Sequence, residues 1–133
     1  MEDVWWKQRL ESFDRAVNLL TEAVGEGVDE MSDLEKEGTV RRFELALELA
    51  WRTLESYLEF SGIVLRPTPR AVIKEAVAAG IVDDGQVWID MLKHRSFLSQ
   101  TCDENMYRQT IGAISGKYLQ VLSDLRDWMK EKA

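Results

Sequence analysis

Residues 32–60 read SDLEKEGTVRRFELALELAWRTLESYLEF, and this stretch decides the fold. Ser32 followed by Glu35 is a capping box: the serine oxygen takes an orphan amide while the glutamate reaches back to the serine N–H. Beyond it Val40, Phe43, Leu47, Ala50, Leu54 and Tyr57 recur at steps of three and four, which places them on one face of an α-helix. Leu45, Leu49, Trp51 and Leu58 widen that face until the helix is apolar on most sides. A helix of that kind lies at the centre of a bundle or against another chain. Gly38 weakens its first turns, since glycine costs about 1 kcal/mol against alanine inside a helix. Ser61-Gly62 ends it.

Working outward, Trp6, Leu10, Phe13, Val17, Leu20 and Val24 mark a first helix over Val4 to Val24, closed by Gly25-Glu26-Gly27. After the central helix, Ile63 to Pro67 crosses over in extended form, as residues before proline prefer. Thr68 caps a short third helix over Arg70 to Ala79, with Pro69 at the position where its missing N–H costs nothing. Gly80 stops it. Asp83 or Asp84 starts a fourth helix near Val87 to Phe97. A fifth runs from about Asp103 to Lys130 on the stripe Tyr107, Ile111, Ile114, Tyr118, Val121, Leu125 and Trp128. The pattern predicts an all-α fold: one domain over residues 1–133, an antiparallel up-and-down four-helix bundle with the extra short helix as an appendage. The alternating steps favour packing near 20°.

Composition narrows the function. The chain of 133 residues carries 17 Lys plus Arg against 24 Asp plus Glu, a net charge of −7. A duplex-binding surface needs cations to displace phosphate counterions, so only a small local basic site for nucleic acid is compatible with this balance. No run of about 18 apolar residues is present. The acidic start, Met1-Glu2-Asp3, lacks the basic-then-apolar plan of a signal peptide. One cysteine excludes an internal disulfide and fits a reducing compartment, so the expected location is the cytoplasm. Phosphate-binding glycine loops, HExxH and CxxC are absent. One histidine and one cysteine do not make a zinc site unaided, and no metal or cofactor is expected.

Two places are unusual for a plain bundle. Glu44 and Glu48 lie four apart on the central helix and share a face. They read either as a solvated strip pairing with Arg41, Arg42 or Arg52, or as a partly buried pair holding a ligand or a cation from the fourth helix. The second place is the segment from His94 to Asp103, rich in small polar side chains. Arg95 is its distinctive member, because a guanidinium clamps phosphate or carboxylate through two parallel bonds. Ser99, Thr101 or Asp103 also suit a helix cap. His94, between Lys93 and Arg95, reads as a surface residue.

These segments resemble a known family. Arg42 to Leu54 is similar to the RFEFxxELAWKTL helix of the nucleotidyltransferase substrate-binding proteins, within the wider HEPN group of helical bundles. Pro69 to Ala76 matches their PRxVIREA helix. Gly80 to Asp84 with Trp88 to Leu92 matches their GLIDD…WxxML segment. The resemblance spans roughly Leu10 to Leu125. It implies a homodimer and a separately encoded minimal nucleotidyltransferase that supplies the metal site, the two forming a toxin–antitoxin-like pair or a heterotetramer. In many relatives the bundle is a ribonuclease toxin with Arg, four residues, His, one residue, Tyr, and the partner silences it by transferring AMP to that tyrosine.

This sequence departs from that signature. Arg95 matches the arginine, but Ser96 stands for the asparagine, Gln100 for the histidine and Cys102 for the tyrosine. Glutamine cannot accept and return a proton near neutral pH, a contribution worth about 10²–10⁴-fold in rate. The expected function is therefore a non-catalytic, nucleotide-binding partner subunit. Arg95, Ser99 and Gln100, with Glu44, Glu48 and Trp51, would line a polar cleft near a dimer interface. Arg95 would grip an anion, and Trp51 would stack or pack. The alternatives are a degenerate ribonuclease, with His94 standing in as base, and a purely structural dimeric module. Five tryptophans suggest apolar surface beyond what a small bundle encloses, hence dimerisation.

Overall fold

The structure, a computed structural model, describes residues 2–25, 27–100 and 104–133, without the side chains of residues 2, 3, 97–100 and 104. The elements are α1 (Glu2–Val24), α2 (Asp33–Phe60), α3 (Pro69–Ala78), α4 (Gly85–Gln100), α5 (Glu104–Ala113), a π-helical turn (Ile114–Tyr118) and α6 (Leu119–Lys132). No strand occurs among the described residues. The local signals read above set these boundaries. Ser32 Oγ accepts from Glu35 N at 3.1 Å while Ser32 N donates to Glu35 Oε1 at 3.0 Å. Thr68 caps α3. Asp84, not Asp83, starts α4, its Oδ1 accepting from Gln86 N and Val87 N at 3.1 and 3.3 Å. Gly62 and Gly80 close α2 and α3 with φ of 86° and 75°, a left-handed turn that a Cβ disfavours.

Ring contacts give the topology. Trp6 near the start of α1 meets Tyr57 and Phe60 near the end of α2, so the two helices run antiparallel. Phe43 meets Tyr118 and Tyr57 meets Trp128, so α2 and the final rod run the same way. Arg95 of α4 reaches back to Glu48, while Trp88 lies near Leu125 and Trp128, so α4 opposes both. The result is the expected up-and-down bundle. The short α3 is no appendage, because Val72, Ile73 and Ala76 are buried in the main core between α2 and α4.

That core contains Trp6, Phe13, Leu20, Phe43, Leu47, Leu54, Leu58 and Trp88, each no more than 1% exposed. Full burial of such a side chain contributes about 1.5–3 kcal/mol. Trp51 is also buried. The bundle thus encloses three of its tryptophans, and their number is no measure of surplus apolar surface. What stays exposed includes Trp5, Leu34, Leu45 and Val64.

The last helix departs from its expected stripe. Ile111, Ile114, Tyr118, Leu122, Leu125 and Met129 are buried, whereas Val121 and Trp128 are only half-buried. Counted from Tyr118 at about 100° per residue, Leu122, Leu125 and Met129 point within about 40° of it, whereas Val121 and Trp128 point about 60° and 80° away, at the edge of the inner face.

Candidate functional site

Glu48 is the hub of a polar cluster on the flank of α2. Its Oε2 accepts from Trp51 Nε1 at 2.9 Å and from Arg95 Nη1 at 2.7 Å. Its Oε1 accepts from Arg52 Nε at 2.9 Å. Trp51 and Arg52 lie three and four residues on, the spacings that bring helix side chains together. Arg95 comes from α4, across the bundle. The Arg52 guanidinium also lies 4.6 Å from the centre of the Trp51 ring, a cation–π contact.

Burial pushes the Glu48 carboxyl up. The hydrogen bonds from Trp51 and Arg52, with the charges of Arg95 and Arg52, outweigh it and hold the group below the usual carboxylate range. Glu48 is therefore an anion at neutral pH. Two guanidinium groups against one carboxylate leave this spot locally cationic on a chain of net charge −7. The Arg95 side chain is 32% exposed, and the Glu48 bond engages one of its five N–H donors.

Of the residues expected to form the site, Arg95, Glu48 and Trp51 converge. Glu48 alone of the expected acidic pair makes these contacts, pairing along the helix with Arg52 and across to Arg95 of α4. Glu44, one turn earlier, is half-buried and does not join. The side chains of Ser99 and Gln100 lie outside the described residues, as do Thr101, Cys102 and Asp103. Trp51 is 4% exposed with Arg52 over its ring, so it packs and holds Glu48 rather than offering a face for stacking.

His94 is not the surface residue its neighbours suggest. It is half-buried, and its Nδ1 lies 2.7 Å from Tyr118 Oη. Burial holds the imidazole below its ordinary value; the Asp90 charge works against this and Lys117 adds to it. Burial, with the Asp90 charge, also pushes the Tyr118 hydroxyl up to about 12, so it stays a phenol. The sequence signal for His94 was its position three residues after Met91, on the inner side of α4. Arg52 was legible only as a partner for Glu48, not as the cover of Trp51.

Cavities of about 310, 400 and 270 Å³ lie elsewhere, and none is lined by Arg95, Glu48 or Trp51. Among the described residues, no three His, Cys, Asp or Glu side chains converge to hold a metal. No helix among them is long and apolar enough to cross a membrane.

Comparison with known proteins adds two findings. Residues 8–131 match the family model described as nucleotidyltransferase substrate binding protein like. The crystal structure of a protein from Thermus thermophilus superposes with a TM-score of 0.75 at 25% identity, over 85% of this chain and 94% of that one. No curated protein matches.

Proposed function

The chain belongs to the nucleotidyltransferase substrate binding protein-like family, and from that premise we propose that it is a binding subunit serving a separately encoded minimal nucleotidyltransferase. The observation that carries this reading is the Arg95–Glu48–Trp51 cluster. Glu48 fixes one edge of the Arg95 guanidinium at 2.7 Å, and Trp51 and Arg52 fix Glu48 in turn. An arginine held this way keeps its remaining donors for an anionic group such as a phosphate, at little further entropic cost. Ser99 and Gln100 follow Arg95 along α4 and would supply neutral hydrogen bonds, with Glu44 at the margin.

The same scaffold offers little for turnover. Gln100 stands where relatives of the ribonuclease type carry histidine. The proposed substitute, His94, has its Nδ1 engaged by Tyr118 and points about 100° away from its neighbour on the helix. We read the chain as a non-catalytic partner, homodimeric and acting in the cytoplasm. The pair would be toxin–antitoxin-like.

Co-expression with the nucleotidyltransferase of a neighbouring gene tests the reading, followed by calorimetry of the purified complex with AMP. A stable complex that binds AMP, with binding lost in Arg95→Met, is the expected result. Failure to co-purify, or AMP binding indifferent to Arg95→Met, would refute it. RNA cleavage by the isolated chain that disappears in His94→Ala would favour the ribonuclease instead.

A further inference from the structure

Two neighbouring residues of α4 are tied to two different helices. Arg95 reaches α2 through Glu48, and His94 reaches the π-helical turn through Tyr118, each over 2.7 Å. Adjacent side chains on a helix diverge by about 100°. The two bonds therefore hold one turn at two points about 100° apart around its circumference and fix its rotation about the helix axis. If either is released, that turn can swivel, and a swivel moves the guanidinium most because it sits at the end of the longest side chain.

Tyr118 is placed for this by features that simple core packing does not require. It ends the π-helical turn, and such turns are frequent at functional sites. Its ring stacks on Phe43 with centroids 5.5 Å apart and planes at 15°, which fixes the direction of the hydroxyl. The residue is 1% exposed, so phenylalanine would fill the same volume without a buried polar atom to satisfy. The hydroxyl is retained at the cost of needing a partner, and that partner is His94.

We propose that Tyr118 is a positioning residue for the Arg95 site: its hydroxyl donates to His94 Nδ1, leaves the imidazole proton on Nε2, and holds α4 in the rotation at which Arg95 meets Glu48. A phenol is the better donor of the two groups and an imidazole nitrogen the better acceptor, which sets the direction of the bond. The link to anion binding rests on the function proposed above. The tautomer and the helix rotation do not.

The chain has one histidine, so long-range ¹H–¹⁵N spectra of the intact protein report His94 without ambiguity. The wild type is expected in the Nε2–H tautomer, and finding the proton on Nδ1 overturns the proposal at once. Tyr118→Phe is expected to give mixed tautomers, shifted Arg95 guanidinium resonances and AMP binding weaker by about threefold to tenfold, the worth of one hydrogen bond. His94→Ala should shift the same Arg95 resonances, and it decides the matter if Tyr118→Phe does not fold. His94→Asn, which restores an acceptor near Nδ1, should return them towards wild type. Arg95 resonances indifferent to both Tyr118→Phe and His94→Ala overturn the proposal. A wild type that binds no AMP sinks the anion reading alone, while tautomer and resonances still decide the positioning role.

Discussion

Replacing Glu48 by glutamine removes the charge at the centre of the cluster and keeps its shape. The carboxylate takes three donors, Trp51 Nε1, Arg52 Nε and Arg95 Nη1, at 2.9, 2.9 and 2.7 Å. The side chains of Glu48 and Arg95 are 36% and 32% exposed, so solvent screens the pair and the coupling belongs near the upper end for surface ion pairs, about 1 kcal/mol. The Arg52 pair along the helix contributes about 0.3–0.5 kcal/mol, and the weakened Trp51 bond about 0.5–1 kcal/mol. Glu48→Gln should therefore lose about 2 kcal/mol. With a urea slope of about 2 kcal/mol/M, the midpoint falls by about 1 M. A double-mutant cycle with Arg95→Met isolates the interhelical part, expected at about 1 kcal/mol and reduced in 1 M salt. A coupling of zero, with both single variants cooperatively folded, would show that Arg95 is not held by Glu48 and would remove the basis for a preset anion site.

Other expectations follow from single observations. Gly38 is exposed inside α2, and an added Cβ there meets nothing within 4 Å, so Gly38→Ala should gain about 0.5–1 kcal/mol by calorimetry; a loss would contradict an ordinary helical site. Leu54 is fully buried, and Leu54→Ala should cost about 2–5 kcal/mol in urea unfolding, a cost below 1 kcal/mol arguing against its central place. Glu55 is 8% exposed with Oε2 lacking a hydrogen-bond partner, so Glu55→Met should stabilise by about 1–2 kcal/mol, and destabilisation would reveal a hidden partner. Burial holds His94 below its unfolded value of 6.5, between the opposed charges of Asp90 and Lys117. The unfolded chain therefore takes up that proton first as pH falls. The histidine's share of stability is complete above about pH 6.5 and declines below it, a decline that His94→Gln should remove from the difference between the two pH–stability curves.

Most of the scaffold was readable because its signals are local. Ser32 with Glu35, Thr68 with Pro69, and the stripe from Val40 to Leu54 each act within a few residues, and α2 has the boundaries they predict. The site was legible only in part. Glu48 and Arg95 could be nominated as oddities of charge, but their meeting depends on how α4 crosses α2, which no spacing encodes. Tyr118 looked like any other core residue of its stripe. Its hydroxyl acquires a role only through His94, which comes from a different helix. The choice of Leu122 over Val121 was invisible because steps of three and four both keep a residue near one helix face, and only the packing of Leu122 and Met129 against the core separates them.

Between Ile114 and Tyr118 the winding of the final rod loosens. A turn closed over five residues interrupts the regular ladder of helical amide bonds, so this stretch is the natural place for the rod to bend, and its amides should exchange with solvent ahead of those in the flanking turns of α5 and α6.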